Sequence, residues 1–574
     1  MRRASLLAAT FSVVAAACED APPPPAPPPP DEPKVAWLSP AEHLVRASMV
    51  LRGVRPAPAE LLQVAEDPSR LPAIVDQYLS TPEFGATIKD LHNEALWLRT
   101  NQANFTFRPV AGTGFASGTF QHVSESLSEE PLRLIEDVVM NDRPYSEIVT
   151  ANYTFANGVV AAIWGLPYTG DGQQWQKTSW QSAGEPRPAA GILASSELYF
   201  RHRSAGANYH RGRANAITRS LLCHDYLAAD IVVDTSIDLS DPDIVANAVV
   251  ANPSCAGCHQ TLDPIGSVLP GFRGNINLAN LTAYPVTNWY APARENQWRT
   301  TTKRPPGFYG VPAPKLDSLG KLIAEDPRFA RCAAQRFAAY FTQRQAEDLP
   351  VKWISSLTDT FTAQGKSAKA LAKAVVLSDE FRTSHAKADA AVELADSVVG
   401  LQKVRPEQLD RMIFDLTGYR WQHESATRVA GMTVGTASLL QSDAIGFRVL
   451  AGGIDSYFVT LPSHTYNATS SLVLRRLAGE AAGFVVDADF AKPGRATRKL
   501  LSKVDATTSA ESDIRAQLVD LHVRIYGTVD AAASPEIDQS YGLFAETLAA
   551  TSSVPHAWKT TLAAMLQDVR VAYF

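Results

Sequence analysis

Ser39-Pro40-Ala41-Glu42-His43-Leu44-Val45-Arg46-Ala47-Ser48-Met49-Val50-Leu51-Arg52-Gly53 carries the start and stop signals of a helix. Ser39 can cap it, Pro40 suits a first turn in which no N–H bond is lost, Glu42 can reach back to the cap, and Gly53 can end it. Downstream, apolar residues keep helical spacing over 59–79 and 87–98, so a small helical bundle is expected over about 36–105.

Further along, residues 106–188 change character. Trp164, Trp175 and Trp180 sit among glycines and tyrosines, and only Glu130 to Met140 predicts a helix. Helical pattern returns at 189–193 and 214–227, and again from Leu316 through 331–340 and 367–377. Residues 276–315 read as loop, and 400–574 as largely helix-forming. The expected fold is mainly α. It comprises an N-terminal helical domain (36–105), a loop-rich aromatic segment (106–188), a domain around a cysteine motif in a loop (189–315), a further helical domain (316–390) and a C-terminal helical domain (400–574). The opening helix has an internal echo: Leu44-x-Arg46-x4-Leu51-x-Gly53 recurs as Leu409-x-Arg411-x4-Leu416-x-Gly418, which marks a second helical unit beginning near 400.

At 574 residues the chain is too long for one core of ordinary size, and 45% hydrophobic with 20% charged residues is the balance of a folded globular protein. A formal net charge of -6, with Lys and Arg scattered, excludes the basic footprint of a nucleic-acid binder. Arg2 and Arg3, an apolar run from Leu6 to Val14, and three alanines before Cys18 read as an export signal over 1–18. The segment looks like a bacterial lipobox with Cys18 as the acylated residue, although Ala15 stands where leucine is usual; simple cleavage after the alanines is the alternative. Residues 19–35 are rich in proline and alanine and suit an extended polyproline spacer. The expectation is an exported protein, periplasmic or at the cell surface, attached to a bacterial membrane by an N-terminal lipid; which membrane stays open.

The five cysteines include the string Cys255-Ala256-Gly257-Cys258-His259. Attachment of a c-type haem needs two thiols placed for thioethers with the vinyl groups, followed directly by a histidine for the iron, and C-x-x-C-H supplies all three. One covalent haem c is therefore expected, with His259 as proximal iron ligand. Three other readings use the same residues. A thioredoxin-like pair would want a strand before the motif and a helix beginning at it, whereas the prolines in Asn252-Pro253-Ser254 upstream and Asp263-Pro264-Ile265-Gly266 downstream read as a loop and a turn. A structural zinc site could combine Cys255, Cys258, His259 and Cys223. A direct Cys255–Cys258 disulfide would be strained.

For the other side of the iron, Met49, Met140, Met412, Met432 and Met565 are distant in sequence, while His202, His210 and His224 are nearer. His210 ranks first as distal ligand, and an empty sixth position remains open. Cys223 and Cys332 are left over, either as a disulfide or as two buried free thiols.

Arg211-Gly212 through Leu221-Leu222-Cys223, then the motif, then Leu262-Asp263-Pro264-Ile265-Gly266 resemble the cytochrome-like domains of unknown function in planctomycete and myxobacterial surface proteins. Phe329-Ala330-Arg331-Cys332 and Leu377-Ser378-Asp379-Glu380-Phe381 look like the helical domain that follows the haem motif there. The resemblance covers about 190–385 and extends loosely to the N-terminal helices. It implies a mainly helical, exported, haem-binding protein and supplies no substrate. Where an acidic, aromatic run usually follows the glycine turn, this chain has Leu269-Pro270-Gly271-Phe272.

The functional expectation is an electron carrier with an unidentified redox partner protein, since no nucleophile elbow, His-Glu-x-x-His or phosphate loop is present. A haem enzyme would need a distal base, for which His210 or Arg211 could serve. The contrasting expectation is a surface-exposed binding lipoprotein in which the motif is structural or vestigial and the Trp164–Trp180 stretch stacks on sugars.

Overall fold

The computed structural model describes residues 34–574 except 101–119, 171, 173, 203–209, 229–233, 239, 275–283, 393, 395–397, 425–427, 430–431, 434–435 and 443–445. The expected signal segment, Cys18 and the spacer up to Pro33 lie outside the described residues. The protein is mainly helical, so helix packing and not sheet pairing builds the core.

Helix α1 (Pro40–Arg52) begins and ends where local chemistry dictates. Ser39 Oγ accepts from the Glu42 amide at 3.3 Å, Glu42 Oε2 accepts from the Ser39 amide at 2.8 Å, and Gly53 closes the helix at a φ of 69°. That φ lies in the left-handed region, which glycine adopts without a Cβ clash. Then come α2 (Pro58–Glu66), α3 (Leu71–Tyr78), α4 (Pro82–Leu96) and α5 (Phe120–Met140). Helix α5 is longer than the expected 130–140. Pro131 lies inside it, and the turns before the proline are held by burial of Val123 and Leu127 and by Ser128 Oγ donating to Ser124 O and Leu98 O.

The middle of the chain supplies α6 (Gly158–Trp164), α7 (Ser196–Arg201), α8 (Arg211–Leu222), α9 (Pro242–Ala251) and α10 (Pro253–Gly266). They are followed by α11 (Leu316–Glu325), α12 (Pro327–Thr342), α13 (Val351–Ala363) and α14 (Ala368–Val376). The aromatic stretch is core and not an exposed face: Trp164 and Trp180 are buried, Trp164 stacks on Phe200, and Phe200 stacks on Trp289 with ring centroids 4.2 Å apart. Indole rings bury more area against one another than they would gain at the surface. Buried apolar residues from Leu44 to Ala572 form one continuous cluster.

The sequence echo has a structural counterpart. Pro406–Thr417 is a helix ended by Gly418 at a φ of 75°, as α1 is ended by Gly53. Each helix follows an extended segment paired with a later one: Val35–Trp37 runs antiparallel to Thr383–Ala386, and the Gln402 and Val404 amides donate to the Phe574 and Ala572 carbonyls. The two units meet directly, because Gln408 Nε2 donates to Met49 O at 3.0 Å and Arg411 Nε to Arg52 O at 2.9 Å. Arg411 thus satisfies a carbonyl at the end of α1, while Gln408 is a second donor to Met49 O, which already accepts from the Gly53 amide at 2.9 Å.

Candidate functional site

The cysteine motif occupies the first two turns of α10 and not a loop. Two prolines suggested the loop, yet neither breaks this helix. Pro253 sits in the first turn, where no N–H bond is lost, and Asn252 Oδ1 caps the helix by accepting from the Ser254 amide at 3.0 Å. Pro264 falls in the last turn, where it removes one amide donor with only two residues of the helix left to run.

Helical geometry then decides what the motif can present. At 100° per residue, positions 255, 258 and 259 span an arc of about 100°, so both thiols and the imidazole lie on one side of the helix. Cys255 and Cys258 are free and half-buried, and Cys258 packs against the core. His259 is one turn before Asp263, and its Nδ1 lies 3.0 Å from Asp263 Oδ1. A carboxylate there accepts a hydrogen bond from the ring, so Nδ1 carries the hydrogen and Nε2 keeps its lone pair.

Asp263 is itself 1% exposed and tightly held. Arg211 Nε and Nη2 donate to its two oxygens at 2.7 and 3.0 Å, and Arg304 Nε lies 3.9 Å away. Burial works to raise the Asp263 pKa, but hydrogen bonds from His259 and Arg211 with the Arg211 charge outweigh it and hold the carboxyl below its usual value. The bidentate pair ties α8 to α10. Tyr226 Oη, 2.8 Å from Thr261 Oγ1, adds a second tie one turn beyond the motif.

His210 precedes α8 in the left-handed region and is half-buried; desolvation, with the Arg213 charge, lowers its pKa to about 3. Arg213 Nη1 donates to His210 Nδ1 at 2.9 Å, so a neutral His210 carries its proton on Nε2 and offers that nitrogen as a donor. His202 is engaged as well, with Nε2 2.8 Å from Leu96 O, and His224 packs edge-on against Tyr226. Asn208 and Tyr209 lie outside the described residues.

Cys223 and Cys332 form a disulfide with Cα atoms 5.3 Å apart, joining the end of α8 to α12. This removes Cys223 from the zinc set considered above, and among the described residues no three His, Cys, Asp or Glu side chains group to hold a metal ion. A thioredoxin-like arrangement fails as well, because the element before α10 is helix α9 and not a strand. The free thiols and the oriented imidazole do fit what covalent haem attachment needs. Asp263, the residue the motif alone does not announce, becomes visible once 253–266 is read as helix, since it falls at i+4 from His259.

Two family models match parts of the chain on either side of the motif: residues 39–166 match a protein of unknown function (DUF1592) and residues 315–381 a protein of unknown function (DUF1585). Both are domains found in cytochrome c-like proteins of planctomycetes. No curated protein and no solved structure matches the chain.

Proposed function

We propose that the chain carries one c-type haem, bound through Cys255 and Cys258 with His259 as iron ligand, and exchanges electrons with a partner protein. The observation that carries this reading is the His259–Asp263 bond on a helix face that also holds two free thiols. The haem, when bound, supplies a one-electron iron couple. The rest is the work of the chain. Asp263 holds the proton on Nδ1 and keeps Nε2 as a lone-pair donor, while Arg211 fixes Asp263 and through it the imidazole plane.

The disulfide elsewhere leaves Cys255 and Cys258 as the described thiols available for thioethers, and it suits the oxidising compartment in which such haems are attached. Export by the 1–18 segment and anchoring through Cys18 belong to the same reading. His210 is set aside as sixth ligand, since Nε2 would have to lose its proton while Arg213 holds Nδ1 as an acceptor.

The test is a pyridine haemochrome spectrum with the denatured mass of full-length protein made in a host competent for haem attachment. One haem adduct on the peptide containing residues 255–259 is expected. Colourless protein with both thiols free overturns the reading. In loaded protein a low-spin, six-coordinate spectrum supports a carrier over a catalyst.

A further inference from the structure

A cleft of about 560 Å3 opens between α4 and α5 on one side and the Pro406–Thr417 helix with Ser438, Gln441, Ser442 and Arg448 on the other. None of its lining residues comes from α10. We infer that it is a binding site for a short acidic saccharide, independent of the haem motif.

The floor is a buried ion network. Arg99 Nη1 and Arg411 Nη1 each hold one oxygen of Asp90, at 2.6 and 2.7 Å, and Arg99 Nε reaches Glu129 at 2.6 Å. Lys89 lies 3.5 Å from Glu129. Lys89 is also 3.3 Å from Glu136, so three cations meet three acids in the floor and the positive surplus of the lining lies nearer the mouth. Nearer the mouth, Arg133 and Arg420 have side chains 30% and 41% exposed, and Lys499 is exposed. Phe414, 37% exposed, presents its ring beside them with the Arg420 guanidinium 3.9 Å from its centroid.

The chemistry of this lining narrows the ligand. An apolar guest would strip water from charged groups without replacing its hydrogen bonds. A bare phosphate wants donors only, whereas Glu83, Glu125 and Asp415 put acceptors in the wall. A polyol satisfies both, because each hydroxyl donates and accepts. Seven basic against five acidic side chains leave a positive surplus, which suits one carboxylate on the ligand, taken by a guanidinium fork. The half-exposed Phe414 ring can cover the C–H face of a pyranose. The volume lies within the roughly 300–1,000 Å3 of small-molecule sites and accommodates a disaccharide.

Titration calorimetry on the full chain with digalacturonate, and with cellobiose as the neutral comparison, tests the inference. Digalacturonate should bind saturably, with cellobiose at least about tenfold weaker, and the variant Arg133→Gln/Arg420→Gln should lose at least about tenfold in affinity for digalacturonate. Should that variant melt early, Lys499→Gln, on an exposed side chain, replaces it with a weaker loss as the expected result. Absence of digalacturonate binding at millimolar concentration, equal affinity for the two sugars, or unchanged binding by a folded variant would each overturn the assignment.

Discussion

His259 Nδ1 and Asp263 Oδ1 lie 3.0 Å apart, one helical turn from each other, and the same carboxylate receives two hydrogen bonds from Arg211. The imidazole therefore shares the pull of a carboxylate whose charge is partly spent on a guanidinium.

Replacing Asp263 with Asn keeps the shape and removes the charge. The negative partner favours the oxidised iron, so the reduction potential of loaded Asp263→Asn should rise by on the order of 60 mV, about one factor of ten for a one-electron couple. Spectroelectrochemical titration of wild type and variant measures it. An unchanged potential in protein that carries haem refutes the role of Asp263 and leaves haem attachment standing. Arg211→Gln should move the potential the opposite way, because it frees the carboxylate charge.

The Cys223–Cys332 bond closes a sequence separation of 109 residues between α8 and α12. In the chain-entropy account, Cys223→Ser/Cys332→Ser should lose about 2–4 kcal/mol of unfolding free energy, read from urea denaturation. Wild type in reductant should fall by a similar amount, and the variant should not respond to reductant.

What the sequence disclosed divides along physical lines. Ser39, Pro40, Glu42 and Gly53 were legible because capping is local: each acts on a backbone group within four residues. Pro253 and Pro264 misled for the same reason. A proline is a breaker by local rule, and only the extent of α10 shows that one lies in its first turn and the other in its last. Residues 120–127 were missed as helix because Val123 and Leu127 gain their meaning from burial against distant elements. Trp164 and Trp180 looked exposed in a glycine-rich setting, yet Phe200 from later in the chain stacks on Trp164, and Trp164 and the Arg187 guanidinium lie against Trp180. Of the site, the thiols and His259 were legible as a string, whereas Asp263 needed the helix, and the cleft that joins Asp90 to Arg411 needed the fold.

Arg46 and Arg411 occupy matching places in the two repeated helices, and both turn their guanidinium groups onto chain ends. Arg46 donates to Phe381 O, Thr383 O and Gly400 O, and Arg411 to Arg52 O and Asp90. Methionine fills much of the same volume and satisfies none of those acceptors. Arg46→Met and Arg411→Met should each cost about 2–5 kcal/mol in chemical denaturation, with Arg411→Met at the upper end because it leaves a buried Asp90 with one cation fewer. A loss under about 0.5 kcal/mol in either variant would mean water replaces the lost donors.

Glu130 provides a pH-dependent contribution whose sign can be worked out. Burial raises its pKa to about 7, against the lowering effect of hydrogen bonds from Ser195 and Thr154 hydroxyls and of the Arg187 charge. The unfolded chain releases this proton near pH 4.5, so between there and about 7 the folded state holds the extra proton. Stability from Glu130 is therefore complete below the unfolded value and is lost as pH climbs through about 7. At 1.36 kcal/mol per unit the swing is about 3 kcal/mol. His92 works in the opposite direction, since burial lowers its pKa to about 4 and its folded form gains stability as pH rises from there toward 6.5. The two slopes oppose each other in wild type, so the informative quantity is the difference between wild type and Glu130→Gln. Urea denaturation at pH 5 and pH 8 should show wild type losing about 3 kcal/mol relative to the variant on going to the higher pH. Parallel behaviour of the two proteins would mean that Glu130 is ionised in the fold and that water or Arg187 supports its charge.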